Sequence, residues 1–161
     1  MKKIILITAI AIVVGLGFFG YTRTRQSTNI PDEWNKFADE VNGWEIEYPK
    51  TITQISLADD IGPKAWTNNI IFYNKDNWVL SVYATKTEFT NVENYLNAVE
   101  NSYIQTRGSV TVNNIEFTVG LDPEIPTDQI FLTIQNKKIF VLHMNAGAPS
   151  QKILESFKNF E

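Results

Sequence analysis

The first two dozen residues constrain the fold of this chain most strongly. From Ile4 to Tyr21 the sequence runs for 18 residues without a charged side chain. Eleven of those residues are Ile, Leu, Val or Phe. As an α-helix, such a run is about 27 Å long at roughly 1.5 Å per residue, close to the thickness of the hydrocarbon core of a bilayer. The sequence therefore predicts a short tail at residues 1–3 and one transmembrane helix over residues 4–21.

Basic residues flank this run, with Lys2 and Lys3 before it and Arg23 and Arg25 after it. With the free amino terminus, about three positive charges precede the run and two follow it, and the positive-inside rule then places the N-terminus in the cytoplasm. We therefore expect a single-pass membrane protein whose domain is extracytoplasmic. A cleaved signal peptide is the alternative. The segment Gly20-Tyr21-Thr22 matches a cleavage site poorly, so the sequence favours a retained anchor.

Charge is divided unevenly along the chain. Four of the 14 basic residues precede Ile30, whereas all 18 acidic residues follow it. Residues 30–161 therefore carry 10 basic and 18 acidic groups, a formal charge of −8. A domain of that charge repels phosphate backbones, so no nucleic-acid partner is expected. The chain has no cysteine, which excludes disulfides, thiolate metal sites and cysteine nucleophiles.

The segment after the anchor begins with polar residues. Residues 22–29 lack periodicity and are typical of a juxtamembrane tether. Residues 30–161 then form one predicted globular domain. Pro31 suits the first position of a helix, and Asp32 and Glu33 would complement the helix dipole. Apolar residues follow at helical spacing, namely Trp34, Phe37, Ala38 and Val41. This pattern predicts a short amphipathic helix that ends at Asn42-Gly43.

From Trp44 onward the apolar period changes to two, which is typical of β-strands. Alternation and turn residues predict strands over residues 44–48, where Pro49 stops the first strand, and over 52–57, 66–73, 78–84, 110–112, 115–119, 130–135 and 138–144. Trp78, Leu80 and Val82 are expected to face the same side of the sheet. Short turns are predicted around residues 74–77, 113–114 and 136–137. Residues 59–63 and 122–128 are predicted to form longer loops.

Two more helices are predicted. Thr90 and Glu93 have the spacing of a capping box, so the Thr90 hydroxyl is expected to cap the first of them. Gly108 marks the exit from that helix. Its apolar stripe comprises Val92, Tyr95, Leu96, Val99 and Tyr103. The last helix is predicted to start near Pro149 or Ser150. Its inner face comprises Ile153, Leu154, Phe157 and Phe160.

Short turns between successive strands imply a mostly antiparallel sheet, and helices at the start, middle and end can cover its faces. The domain is therefore expected to be α+β. Several short segments resemble PsbP/Mog1-like domains of small membrane-anchored bacterial proteins, namely residues 43–49, the helix from Val92 to Tyr103, the hairpins at 112–117 and 130–144, and residues 153–158. This resemblance implies an α/β/α sandwich around the antiparallel sheet. It also implies a non-catalytic, extrinsic module, and it supplies no functional residue.

Candidate chemical groups are few. His143 is the only histidine, and a catalytic triad or zinc site would require it. Its apolar neighbours favour an ordinary residue on a strand face. Carboxylates gather in two loops, but neither loop has the spacing of an EF-hand: Asp59 and Asp60, and Asp122, Glu124 and Asp128. Glu45 and Glu47 share one strand face, and a solvated face explains them better than an acid–base pair. We therefore predict no catalytic residue, no metal site and no cofactor.

Three functions follow as hypotheses. The first is a membrane-anchored, extracytoplasmic and non-enzymatic module that binds an envelope component or a membrane protein. The second is a hydrolase or metal-dependent enzyme that uses His143 or the acidic loops. It requires these groups to converge within hydrogen-bonding reach. The third is an accessory subunit of a larger membrane complex.

Overall fold

The computed structural model describes residues 33–58, 69–99 and 104–160. The predicted transmembrane segment at residues 4–21, the tether at 22–29 and the loop at 59–63 lie outside these ranges. Within the described ranges, no helix is long and apolar enough to cross a membrane.

Antiparallel strands dominate the described residues. In chain order the elements are β1 Trp34–Asp39, β2 Trp44–Pro49, β3 Gln54–Ala58, β4 Asn69–Asn74, β5 Asn77–Lys86, α1 Val92–Ala98, β6 Gln105–Val112, β7 Ile115–Leu121, β8 Gln129–Gln135, β9 Lys138–Met144, α2 Ser150–Ser156 and β10 Lys158–Asn159. Seven strands form a large sheet in the order β3-β4-β5-β9-β8-β7-β6, and three form a small sheet in the order β1-β2-β10. All neighbours in both sheets are antiparallel.

Side chains pack against both faces of the large sheet, as the alternating residues of β9 illustrate. Phe140, Leu142 and Met144 join a cluster with residues of β2 and α2. The intervening Ile139 and Val141 join a second cluster with residues of α1. The large sheet therefore lies between α1 on one face and the small sheet with α2 on the other. The domain is α+β with a mostly antiparallel sheet, as the sequence predicts.

The predicted helix at residues 34–41 is wrong, because β1 occupies this segment and pairs with β2 from Trp34↔Pro49 to Asp39↔Trp44. The Asp39 carboxylate stabilises the hairpin turn. It accepts hydrogen bonds from the backbone N–H groups of Val41 and Asn42 at 3.1 and 3.0 Å, and from Trp44 Nε1 at 3.1 Å. The Asn42-Gly43 pair, which also suits a helix end, here closes this hairpin.

The expectation that Trp78 faces the same side as Leu80 and Val82 is also wrong. The register between β4 and β5 shifts at Phe72/Tyr73, so Tyr73 pairs with Trp78 while Phe72 pairs with Leu80. The extra residue, Val79, reverses the alternation. Leu80 and Val82 belong to the cluster beneath the small sheet. Trp78 instead packs on His143, which shares the α1-facing side of β9 with Ile139 and Val141.

Helix boundaries depart from the predictions in three places. Asn91, not Thr90, caps α1, because its side chain accepts a hydrogen bond from the N–H of Asn94 at 2.8 Å. Gly108 lies at a bulge within β6, with φ of +138°, and not at a helix exit. The final helix starts at Ser150 as predicted but ends at Ser156. Phe160 therefore lies beyond it and is 37% exposed, whereas Ile153, Leu154 and Phe157 are buried.

Candidate functional site

The structure brings His143 and the 122–128 loop together. The Nε2 atom of His143 lies 3.4 Å from Oδ2 of Asp128, which immediately precedes β8. The Trp78 ring packs on the imidazole with 4.8 Å between centroids. On β5 the residue paired with His143 is Ser81. Sequence reasoning missed Ser81 and Trp78, because strand register and the β5 bulge bring them here and neither leaves a local signal.

Burial and charge act in opposite directions on the imidazole. Burial lowers the pKa of His143 below its ordinary value of 6.5, and the carboxylates of Asp128 and Asp122 oppose that shift. Burial has the larger effect. An uncharged imidazole at neutral pH follows, which suits a residue in the protein interior.

Hydrogen bonds within the acidic loop at residues 122–128 stabilise its conformation. Asp122 is buried, and its Oδ1 atom accepts a hydrogen bond from the N–H of Glu124 at 2.8 Å. The N–H of Asp128 donates to the carbonyl of Ile125 at 2.9 Å. Glu124 itself is exposed. In the described ranges, no group of three or more His, Cys, Asp or Glu residues could hold a metal ion. Asp59 and Asp60 lie outside those ranges.

Glu45 and Glu47 do not form an acid–base pair. Glu45 lies between two lysines, with Lys36 Nζ at 2.5 Å and Lys158 Nζ at 3.2 Å from its carboxylate oxygens. The hydrogen bond from Lys36 is the main cause that lowers the pKa of Glu45, with Lys158 adding to it and burial opposing it. Glu47 is exposed, and its backbone N–H donates to Ser156 Oγ at 2.8 Å.

A groove at one end of the large sheet gathers several charged groups. We call it the hairpin groove. It has a volume of about 1310 Å³, and its lining comprises residues 86–90, Tyr95, Ile134 and residues 136–138. These residues come from the end of β5, the loop before α1, α1 itself and the β8–β9 turn. Lys86, Lys137 and Lys138 bring three cations to it, and among the described residues that line it Glu88 alone is acidic.

Aromatic side chains form one wall of the hairpin groove. Phe89 is 37% exposed, and its ring contacts that of buried Tyr95 edge to face, with 6.0 Å between centroids. Tyr83 belongs to the same buried cluster as Tyr95, and burial raises the pKa of its hydroxyl. Lysines beside an exposed aromatic ring can bind a ligand that is both anionic and partly apolar.

One solved structure has a similar arrangement of strands and helices. The solution structure of cyanobacterial PsbP, CyanoP, from Synechocystis matches with a TM-score of 0.52 and 12% sequence identity, covering 79% of this chain and 92% of that one. The domain has the PsbP-like fold. A crystal structure from Bacteroides thetaiotaomicron matches the PsbP-like domain with a TM-score of 0.45 and 14% identity, over 78% of this chain and 48% of that one. No family model matches the chain, and no curated protein matches it in sequence.

Proposed function

We propose that this protein is a membrane-anchored, extracytoplasmic binding module without catalytic activity of its own. The observation that carries the proposal is the contrast between its two clusters of polar groups. His143 and Asp128 are buried, whereas Lys86, Lys137 and Phe89 of the hairpin groove are exposed to a partner. A general base must reach the proton that it abstracts, and a buried imidazole is closed to substrate.

The membrane part of the proposal rests on the apolar run from Ile4 to Tyr21. This run is long enough to form a transmembrane helix that precedes the PsbP-like domain. Because the tether at residues 22–29 is short, the domain would work close to the bilayer surface. Partners within reach are membrane proteins and envelope components. An accessory subunit of a larger membrane complex is one form that such binding would take, and co-purification from detergent distinguishes it from a monomer.

Membrane fractionation tests the anchor. The full-length protein is expected in the membrane pellet, resistant to alkaline carbonate and released by detergent. A variant that begins at residue 22, with a new initiator Met, is expected in the soluble fraction. Release of the full-length protein by carbonate alone would contradict the anchor.

Protease added to intact cells tests the outward orientation, after removal of any outer membrane or wall. The domain is expected to be degraded while a cytoplasmic marker stays intact. Survival of the domain until the cells are lysed would overturn the extracytoplasmic part of the proposal.

A hydrolase that uses His143 is the second candidate, and the 3.4 Å approach of Asp128 favours it. A carboxylate beside an imidazole, with Ser81 on the adjacent strand, is the residue set of a hydrolytic triad. Purified protein tested against ester substrates distinguishes the two candidates. Turnover that His143→Gln abolishes would establish the enzyme and overturn the binding module.

A further inference from the structure

We propose that the hairpin groove binds an acidic peptide segment of a partner protein, with an apolar side chain of that segment resting on Phe89. The carboxylates of the segment would lie near Lys86 and Lys137. This inference deepens the binding role proposed above and rests on it.

Like charges face each other at the edge of the groove. Lys86 and Lys138 are directly opposite each other on β5 and β9. Like charges in that position destabilise a sheet. Lys138 Nζ donates to the carbonyl of Asn42 at 2.7 Å, but within the described residues neither Lys86 nor Lys137 has an ion-pair partner. An anionic ligand would relieve this repulsion on a domain whose formal charge is otherwise strongly negative.

The backbone around the groove holds these groups in place before any ligand arrives. The N–H of Thr87 donates to the carbonyl of Lys137 at 2.9 Å, which ties the loop before α1 to the β8–β9 turn. The N–H of Phe89 donates to Thr87 Oγ1 at 3.2 Å. Asn136 and Lys137 both have positive φ, at 50° and 57°, as a two-residue hairpin turn requires. A site formed in advance costs less ordering entropy on binding.

Shape favours a peptide over the bilayer. A lipid surface is flat and would not fill a concave groove, whereas an extended segment would.

Peptide selection with the full-length protein in detergent micelles tests the proposal. The probes are random 12-residue peptides displayed on phage, with counter-selection against Lys86→Glu/Lys137→Glu. Enriched peptides are expected to carry at least two Asp or Glu residues beside an aromatic or aliphatic residue. Enrichment of peptides without acidic residues, or no enrichment over the variant, would overturn the proposal.

Fluorescence anisotropy of one enriched peptide then locates the site. Lys137→Glu is expected to weaken binding about tenfold or more, because it replaces an attraction by a repulsion. Lys75→Glu is the matched control, since Lys75 is an exposed turn lysine with φ of 55° outside the groove. Phe89→Ala should weaken binding and Phe160→Ala should not, although both rings are 37% exposed. Equal effects of the groove variants and their controls would overturn the assignment.

Two further measurements distinguish peptide binding in the hairpin groove from the membrane-anchored binding role proposed above. Vesicles with about one third anionic lipid test the bilayer, and Lys137-dependent vesicle binding without peptide binding would overturn the peptide proposal. The domain's location in cells is measured independently. A negative peptide result with an extracytoplasmic domain refutes only the groove assignment, whereas groove binding by a cytoplasmic domain refutes the location.

Discussion

His143 Nε2 lies 3.4 Å from Asp128 Oδ2, and both side chains are more than nine-tenths buried. The distance is long for a hydrogen bond, and each atom lacks another partner within the described residues. The pair joins the entry of β8 to the end of β9 and packs under Trp78. A buried histidine between a carboxylate and an indole ring makes the protonation state of His143 the first property to measure.

Nuclear magnetic resonance of the imidazole measures this state directly, because His143 is the only histidine. We expect its titration midpoint to lie below 6.5, since burial disfavours the charged form more than the carboxylates favour it. Asp128→Asn should lower the midpoint further, because it removes a charge that stabilises the imidazolium. Asp76→Asn, in an exposed turn, serves as the control. A midpoint of 6.5 or higher in the unaltered protein would contradict this account.

The same shift predicts how stability depends on pH. The lower folded-state pKa of His143 means that the unfolded chain, with an ordinary pKa of about 6.5, binds the proton more readily. The stabilisation is complete above that value and decreases as the pH falls from 6.5 towards the folded-state pKa. Urea unfolding between pH 8 and 5.5 measures this decrease. His143→Gln should make the free energy of unfolding depend less on pH in this range. An unchanged pH dependence in this variant would show that another group causes the decrease.

Gly43→Ala is expected to destabilise the β1–β2 hairpin. Gly43 has φ of +71°, and an added Cβ would lie 2.3 Å from the backbone oxygen of Phe160. The left-handed conformation alone costs about 1–2 kcal/mol for a residue with a side chain. Gly147→Ala is the control, because its Cβ would approach no atom closer than 3.6 Å. Equal free energies of unfolding for the two variants would refute the importance of this contact.

Phe157→Ala is expected to lower the free energy of unfolding by about 3–5 kcal/mol. Phe157 is 1% exposed, and its ring packs edge to face on Phe117 and Phe140 at 5.7 and 5.4 Å. The cavity would lie between α2 and the large sheet. Phe160→Ala removes the same atoms from a ring that is 37% exposed, so chemical denaturation should show a much smaller loss. A similar loss of unfolding free energy in both variants would contradict the assignment of Phe157 to the core.

Hairpins were the most predictable part of the fold. Alternating residues and the pairs Asn113-Asn114 and Asn136-Lys137 give a local signal, and all four turn residues have the positive φ that such turns require. Helical spacing misled at residues 34–41. There, pairing with β2 prevails over local periodicity, and Val41 is 90% exposed in the turn. Pairing with another strand cannot be recognised from the residue pattern of a short sequence segment.

The site was less predictable than the fold. His143 could be singled out from the sequence because it is unique, and Asp128 because it lies in an acidic loop. Their proximity depends on the register of β8 against β9, which the sequence does not reveal. The hairpin groove gathers Lys86 and Lys137 from segments about fifty residues apart, and only the β5–β9 pairing brings them together. Phe89 could not be singled out from the sequence either, because isolated exposed aromatic residues are common.

Labelling of single cysteines with a membrane-impermeant maleimide tests the central claim most directly, because the chain has no cysteine of its own. Asp76→Cys places a thiol in the exposed β4–β5 turn, and a Cys inserted directly after Met1, as a new position 2, places one before the apolar run while keeping both lysines. An extracytoplasmic, anchored domain predicts labelling at position 76 in cells whose cytoplasmic membrane is intact, and at position 2 only after permeabilisation. Labelling at position 2 alone in intact cells would contradict the account.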